Sequence, residues 1–594
     1  MLLILSFALA TVAAMALGAV VRRVAPAIGA VVPPRMDRWH DRPTPTMGGI
    51  AIAAGTMVGF LVVLAAPDVL PWPDTWVPVP VAALAMFVIG FLDDRLQLSP
   101  LAKLVSSLIV GAFLVFALSR THPDGLTSVQ TLVATIWFAG LCHAMNLLDN
   151  MDGLAAGVAL VAALFLATLL FEPLGAAVVI LLFALAGALL GFLYWNRNRA
   201  RLFMGDCGSL FIGAMLAGAA LVPVVGAGDM LSDPALLTVV ILVVPLFDTA
   251  FVLVLRRLAG RPATRGGTDH VSHRLVSLGF SERSAVRILY LLGLTGGITA
   301  WALQFSGVDS MLPLAALFGV IVILVGIYLA RVPAYNAEDF LALQKSSFAP
   351  FLKDLTFRWH AGQVMLDLVL ISACYYFAYR LRFEGESLEH FLPSFAASLP
   401  VVLGLKLASM YVSGLYQRSW ETFGLRDLTA VLRGVGLGSI LSVLAAAYFY
   451  RLEGFSRLVF ILDFMLLSAA VVATRASFRT MNLVAVTRSK RNRRVLVYGA
   501  GAFGQLLVRE MRANPEWNMN PVAFIDDDPM KARRWIVGVP VRGALEELPR
   551  ALTRYEVDEV ILSSPRINGS VESRIREVCG VMQKPVRRLH MAIR

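Results

Sequence analysis

The sequence predicts a polytopic α-helical membrane protein that ends in a small cytoplasmic α/β domain of Rossmann-like type, and three observations lead there. Of 594 residues, 58% are hydrophobic and only 15% charged, with a mean hydropathy of +0.72. A soluble chain of this length could not cover that much apolar surface. Apolar runs of roughly 17–22 residues, the length of a spanning helix, begin near residues 2, 47, 78, 104, 127, 154, 175, 209, 236, 286 and 312, and again near 361, 393, 429 and 457. From Arg494 the texture changes to short β-branched runs alternating with helical patterns, as in a parallel sheet with flanking helices. The expectation is about 11 + 4 transmembrane helices and a C-terminal domain.

The first run, Met1 to Val21, lacks a basic leader and a clear cleavage site, so it reads as a retained helix. Loop charges orient the rest. Arg22, Arg23, Arg35, Arg38, Arg42, Arg95, Lys103, Arg197, Arg199 and Arg201 fall in one set of loops, continued by Arg256, Arg257, Arg261, Arg265, Arg274, Arg283 and Arg287. The opposite loops hold Asp68, Asp74, Asp124, Glu172, Asp229, Asp233 and Asp309, with Arg120 as their basic residue. Positive charge favours the cytoplasm, which puts the N-terminus outside and residues 331–360 inside. The net charge of +12 is thereby accounted for by membrane anchoring and calls for no nucleic acid. Four cysteines (Cys142, Cys207, Cys374, Cys579) show no CxxC pairing, hence neither a zinc site nor a disulfide framework. The expected domains are residues 1–335, a linker over 336–358, a four-helix membrane module over 359–480 and a soluble domain over 492–594. The basic cluster Arg488, Lys490, Arg491, Arg493 and Arg494 reads as a topology anchor at anionic lipid.

Five polar clusters interrupt the first module, and hydropathy places all of them at one membrane face: Thr44 to Gly49, Asp93-Asp94 with Lys103, Asn146 to Gly153, Met204 to Asp206, and Asp269-His270 with His273-Arg274. An acid at a helix centre costs about 2.5–3.5 kcal/mol on insertion scales, so acids converging on one face suggest a site for a divalent cation and a phosphorylated substrate. Asp93 and Asp94 diverge by about 100° on a helix and so serve different partners; the plain alternative is a solvated helix end. Asn146, Asp149 and Asp152 drift along one face, suiting Mg²⁺ with retained waters or the edge of a nucleotide base; each alone would be a helix cap. Asp206 stands at the entrance of a span between glycines that let backbone N–H groups approach a phosphate, and it also suits an N-cap. His270 and His273 turn to one side of a helix, but no thiolate or third histidine accompanies them as zinc would require. Donation to a pyrophosphate, helped by Arg274, fits better; an ordinary basic loop is the alternative.

Together these strings resemble the polyprenyl-phosphate N-acetylhexosamine-1-phosphate transferase family, which includes the undecaprenyl-phosphate GlcNAc-1-phosphate transferases and the phospho-MurNAc-pentapeptide translocases. The resemblance covers about residues 1–335. It implies a Mg²⁺-dependent enzyme of the bacterial inner membrane, open to the cytoplasm, that moves a sugar-1-phosphate from a UDP-sugar to undecaprenyl phosphate and releases UMP. It further implies catalytic roles for Asp93, Asp94 and Asp206, and metal ligation by Asp206 and Asn146. Substrate binding would fall to Lys103, Asn146, Asp149, Asp152, Asn196, His270, His273 and Arg274. Thr44 to Gly49 looks like the translocase version of its segment, the histidine loop fits the sugar-phosphate branch, and Arg199 stands where proline is expected. Direct attack by the lipid phosphate and a covalent phospho-aspartate route both stay open.

In the C-terminal domain, Gly499-x-Gly501-x-x-Gly504 follows a strand and precedes a helix, and Asp526 ends the next strand. This fits a dinucleotide fingerprint, with Asp526 placed to meet a ribose; a CoA-like or purely structural fold is the alternative. Residues 359–594 resemble the N-terminal membrane and nucleotide-binding-like part of polysaccharide-biosynthesis epimerase/dehydratases, through Gly414-Leu415-Tyr416, Gly424-Leu425-Arg426-Asp427 and Phe524 to Asp528. The chain stops at Arg594 before any dehydrogenase domain with its Tyr-x-x-x-Lys pair, so no dehydratase activity is assigned. The module is expected to regulate, tether or recruit a dehydratase or epimerase. Membrane lipids are further partners, and a homo-oligomer stays open. The rival readings are a sugar-nucleotide-modifying component lacking its catalytic domain and a non-catalytic nucleotide-sensing scaffold.

Overall fold

A computed structural model describes residues 1–33, 43–64, 77–120, 126–169, 176–229, 232–258, 267, 269–306, 308–330, 355–383, 386–417, 424–451, 455–488, 493–513, 517, 519–563 and 567–589. Most of the expected linker over 336–358 lies outside these residues, as do Lys490 and Arg491 of the basic cluster. The chain divides into one unit of residues 1–419 with 424–474 and another of 420–423 with 475–594.

Among the described residues of the first unit the regular elements are helices, except for one short antiparallel pair, β1 (Val31–Val32) with β2 (Thr44–Pro45). Helix α1 (Leu2–Val24) turns Ser6, Ala10, Ala14 and Gly18 inward. This small-residue stripe lets it lie close along α2 (Gly49–Leu64) and, further on, α7 (Ala176–Asn196). Next come α3 (Pro78–Leu96), α4 (Pro100–Ser119), α5 (Ser128–Leu148) and α6 (Leu154–Leu169). Helix α8 (Gly205–Gly226) is the hub: 94% of its apolar stretch is buried against 22% for α1. It packs on α3 and α5, which carry the acidic and amide clusters.

Helices α9 (Asp233–Ile241) and α10 (Val243–Leu258) meet at a bend of 76°. Pro245 explains the break, since it has no N–H to return to the carbonyl of Ile241. A seven-residue helix α11 (Val271–Ser277) follows, then α12 (Glu282–Ser306) and α13 (Val308–Ala330). The four later helices are α14 (Leu355–Arg382), α15 (Glu386–Val412), α16 (Leu425–Tyr450) and α17 (Arg457–Arg488). Ten helices among the described residues are long and apolar enough to cross a membrane, eleven with the bent pair as one span. The expected eleven plus four runs exceed this because Gly49–Leu61, Leu154–Leu169 and Ala315–Ala330 are shorter apolar helices. In addition, α3 carries Asp93, Asp94 and Arg95 in its last turn.

In the second unit, β3 (Arg493–Tyr498), β4 (Met519–Ile525), β7 (Glu559–Leu562) and β8 (Val586–Arg588) form a parallel sheet in the order β4-β3-β7-β8. Helices α18 (Ala502–Ala513), α19 (Leu548–Arg554) and α20 (Gly569–Val581) connect them, and β5 (Trp535–Ile536) pairs with β6 (Val539–Pro540) in a hairpin. One core cluster gathers Leu496, Ile525, Val560, Leu552 and Ile575, the other Val495, Val497, Phe524, Val508 and Met511. Alternate residues of β3 thus face opposite layers, as a strand buried on both faces requires.

The helices after residue 355 enclose an ion pair that sequence reading did not single out. Lys406 of α15 and Asp463 of α17 are bonded and both fully buried. Removing one partner leaves a bare charge among apolar helices, whereas removing both does not. Lys406→Met is expected to destabilise the protein by about 3–5 kcal/mol, and Lys406→Met with Asp463→Leu to recover most of that. Thermal unfolding in detergent measures both, and equal loss in the single and double variants would contradict the pairing.

Candidate functional site

The site begins with the way α3 reaches α8. Gly90 lacks a side chain where one is needed least: a Cβ there would stand 2.4 Å from the Asp206 carbonyl oxygen. That closeness brings the Asp94 carboxylate onto the first turn of α8, where Oδ1 accepts the Asp206 N–H at 2.9 Å and Oδ2 the Cys207 N–H at 3.1 Å. Two amides with no acceptor inside the helix are thereby satisfied. The segment after β2 is strapped to the same place: Phe203 N–H donates to Pro45 O, Gly48 N–H to Phe203 O and Gly49 N–H to Met204 O, each at 2.8 Å. The Thr44 to Gly49 cluster therefore lies beside Met204 to Asp206, as two neighbouring walls.

Asp93 points elsewhere. Its Oδ1 accepts the Leu98 N–H at 2.7 Å, fixing the turn into α4, and its Oδ2 takes the Lys103 ammonium at 2.7 Å. Lys103 Nζ also reaches Asp206 Oδ2 at 3.1 Å, so one amine bridges two carboxylates. Side-chain exposure grades from 7% at Asp93 to 22% at Lys103 and 30% at Asp206, which marks Asp206 as the acid a solute can reach. Asn146 of α5 hydrogen-bonds the Asp206 carboxylate and donates to Ser209 Oγ at 2.9 Å. Asp93, Asp94, Lys103, Asn146 and Asp206 thus converge.

The rest of the α5 strip divides. Asp149 caps α5, while Asp152 accepts the Ala200 N–H at 2.7 Å. Asn196, 3% exposed, takes the Gly153 N–H at 2.9 Å and gives its own N–H to Leu202 O at 3.0 Å. Asp152 and Asn196 therefore tie the α5–α6 turn to the loop before α8. Arg199, where proline was expected, has φ +62°, a value the proline ring cannot adopt.

The histidines form a second, buried group. His270 Nδ1 bonds Asp248 Oδ2 at 2.8 Å, and Asp248 Oδ1 accepts the Val271 N–H at 2.8 Å. Arg256 grips Asp269 through two bonds of 2.8 and 2.7 Å. Ser272 Oγ donates to Asn150 Oδ1 at 2.7 Å, joining the histidine helix to the turn just beyond α5. Arg274, 4% exposed, donates to Asp269 O at 3.1 Å and Leu329 O at 3.0 Å and stacks over Phe251. Its guanidinium fastens α11 to α13, and these bonds point it at carbonyls.

Sequence reasoning missed Asp248, Asn150, Ser272 and His143. His143 meets Ser107 Oγ at 3.1 Å and stands three residues before Asn146, so extending the polar strip by one turn would have found it. Asp248 was detectable as an acid inside an apolar run.

In the second unit, Gly499 takes a φ of +99°, and a Cβ at Gly504 would stand 1.9 Å from the Gly499 carbonyl oxygen. The loop is thus the tight turn its glycines suggested. Gly501 faces open space. Asp526, expected near a ribose, accepts the Ala500 N–H at 2.6 Å and pairs with Lys531 at 3.2 Å.

The fold and the first unit's polar cluster define a multi-pass membrane protein that gathers carboxylates, an amine and an amide at the ends of helices. Comparison with known proteins identifies the kind. The profile of glycosyl transferase family 4 matches residues 76–224, and that of a CoA-binding domain matches residues 412–580. A probable undecaprenyl-phosphate N-acetylglucosaminyl 1-phosphate transferase of Bacillus subtilis is 31% identical over 313 residues, 51% of this chain and 85% of its own. A decaprenyl-phosphate N-acetylglucosaminephosphotransferase of Mycolicibacterium smegmatis is 36% identical over 306 residues, 46% and 74% of the two chains. A phospho-N-acetylmuramoyl-pentapeptide-transferase of Synechococcus is 33% identical over 310 residues, 46% and 85%. The chain belongs to the polyprenyl-phosphate N-acetylhexosamine-1-phosphate transferase family, with a C-terminal CoA-binding-type part fused to it.

Burial, and then the charge of His270, push the His273 imidazole down to about 4, against the weaker upward pull of Asp248 and Asp269. It is therefore neutral at pH 7. Between the ordinary histidine value of about 6.5 and about 4, the unfolded segment binds a proton that the folded one refuses. Stability accordingly falls as pH falls through that window and is unaffected above it. Amide exchange in Val271–Ser277, corrected for its intrinsic rate, is expected to accelerate from pH 7 to pH 5, and His273→Gln to remove that response. Equal protection at both pH values in the natural protein would contradict the assignment.

Proposed function

We propose that the protein transfers an N-acetylhexosamine-1-phosphate from a UDP-sugar to undecaprenyl phosphate, releasing UMP and starting a lipid-linked cell-surface glycan at the cytoplasmic face of a bacterial inner membrane. The observation that carries this is the convergence of Asp93, Lys103, Asn146 and Asp206 at the α8 N-terminus, with Asp94 locked beneath them. The names of the relatives support the acceptor and the transferred group. The excess of arginine in the loops beside these helix ends supports the cytoplasmic side.

Mg²⁺ suits the donor set only in a particular way. Among the described residues no three His, Cys, Asp or Glu side chains group into a protein cage. Asp206, more exposed than Asp93, and the Asn146 amide offer hard oxygen ligands. That matches an ion that keeps waters and takes the rest of its shell from substrate phosphates. Bound there by Asp206 and Asn146, Mg²⁺ would supply positive charge to the donor's diphosphate.

The chain's own residues do the remainder. Lys103 places an ammonium between two carboxylates, where an incoming phosphate can draw on it. An oxygen of the lipid phosphate attacks the sugar-linked phosphorus, a new P–O bond forms and the bond to UMP breaks. Asp93, held by Leu98 and Lys103, positions the acceptor phosphate and receives its proton where it carries one. His270 and His273 contact the donor's phosphates. The N-terminal dipole and amides of α8 favour anions in the same place, although Asp94 already uses two of those amides.

For the second unit we read an accessory role beside this activity, with a sugar-nucleotide dehydratase or epimerase as the partner class. Asp526 holds the Ala500 amide of the glycine loop, a group that a dinucleotide's pyrophosphate would need, and this favours a structural use of the loop.

Membranes containing the protein, given UDP-N-acetylhexosamines, undecaprenyl phosphate and Mg²⁺, are expected to release UMP. Asp206→Ala should abolish the release and Lys103→Met should lower it about 10²–10³-fold, the usual cost of one fixed electrostatic donor. UMP release unchanged in both variants would sink the assignment.

A further inference from the structure

One buried carboxylate lies outside the roles given so far. Asp248 of α10 is 1% exposed and uses both oxygens on the histidine loop, one on His270 Nδ1 and one on the Val271 N–H. A carboxylate with one oxygen committed to a backbone N–H can only accept at the other, so the ring must donate from Nδ1. Among the described residues His270 Nε2 has no hydrogen-bond partner, although the residue is only 4% exposed. Nearby, Arg256 holds Asp269 in a bidentate grip and Arg274 takes the Asp269 carbonyl. The base of the loop is therefore fixed on both sides of one imidazole, leaving a single nitrogen for a ligand.

We infer that Asp248 is a positioning residue: it accepts from Nδ1–H and so fixes the direction of His270 and lets the ring carry a second proton, with Nε2–H donating to the diphosphate of the sugar-nucleotide donor. The inference rests on the function proposed above. The physical case is that an imidazole free to rotate would divide its time among orientations and tautomers, while one held at Nδ1 spends no entropy on binding. Partners of this kind typically change activity by about 10–100-fold when removed.

Asp248→Asn is the informative change because an amide has one acceptor and one donor end. The Val271 N–H can face only the amide oxygen, so the NH₂ turns to the ring and demands a bare Nδ1. The ring can then hold a proton only at Nε2, and the positive charge it brings to the diphosphate is lost. Asp248→Glu keeps two acceptors and should rescue part of the loss.

Two measurements on the full chain in lipid nanodiscs test this. In UMP-release kinetics, Asp248→Asn is expected to lower kcat about 10–100-fold with a smaller change in the donor KM. In a His270→Gln background the same substitution should add less than about 2-fold, since the two residues act as a unit. Losses that multiply, or an Asp248→Asn enzyme as active as the natural one, overturn the inference. The second measurement needs no activity. The chain has only eight histidines, so ¹⁵N spectra of histidine-labelled protein, compared with His270→Gln, isolate the His270 ring. A proton on Nδ1 in the natural protein, lost from Nδ1 in Asp248→Asn, supports the pairing; a bare Nδ1 in the natural protein overturns it, even where the asparagine variant does not fold. Absence of UMP release by the natural protein would instead defeat the proposed function, and the spectra would still decide the pairing.

Discussion

The hydrogen bonding of Asp94 to the first amides of α8 is the constraint on which the site depends. A helix that starts inside a bundle exposes backbone N–H groups without acceptors, and at membrane depth each is costly to leave bare. Asp94 satisfies two of them with one carboxylate. The arrangement requires α3 and α8 to approach until Gly90 sits against the Asp206 carbonyl, where even a methyl group would collide. Once that contact exists, Asp206 has little choice of position. It follows Gly205, whose φ of +74° turns the chain into the helix, and it lands within reach of Lys103 and Asn146. The geometry of Asp206 is inherited from Asp94.

The same economy governs the histidine group. Asp248, Arg256, Asp269 and Arg274 are each at most 4% exposed, and each is matched by an opposite charge, an imidazole or backbone groups. Charges so enclosed are tolerable only with their bonds satisfied. Ser272 passes this order on to Asn150 and so to the end of α5, the helix that also supplies Asn146. The acidic cluster and the histidine loop are therefore both anchored at the end of α5, one through Asn146 in its last turn and the other through Asn150 just beyond it.

Much of the acidic site was legible in the sequence because hydropathy fixes depth. Asp93, Asp94, Asn146 and Asp206 fall at the ends of apolar runs, and helix ends on one face of a bundle lie at similar height. What hydropathy does not fix is rotation, and there the reading was coarser. The strip Asn146, Asp149, Asp152 looked like one ligand set, yet Asp152 takes a backbone amide of the loop before α8. Arg274 looked like a phosphate donor, yet it donates to the Asp269 carbonyl and to the Leu329 carbonyl, which only the packing of α13 brings near. Asp248 escaped notice because its partners lie 22 and 23 residues away, beyond any helical period. Asp526 was placed correctly at the end of its strand, but a sequence cannot show that its carboxylate closes back on the glycine loop. In the fold, the helices were visible and the 76° bend was not, although Pro245 marks where it falls.

Adjacent acids on a helix point in different directions, and here that separation divides labour. Asp94 is consumed by structure, and its loss would unseat α8 before any chemistry could be judged. Asp93 is half consumed, one oxygen on the Leu98 amide and one on Lys103. Asp206, bridged by a flexible lysine and only 30% exposed, is the member whose bonds can be exchanged for a ligand's at least cost to the backbone. A substitution that silences the protein therefore carries different information at each of the three. At Asp206 it reports on the ligand, at Asp93 on the acceptor's footing, and at Asp94 on whether the other two are in place at all.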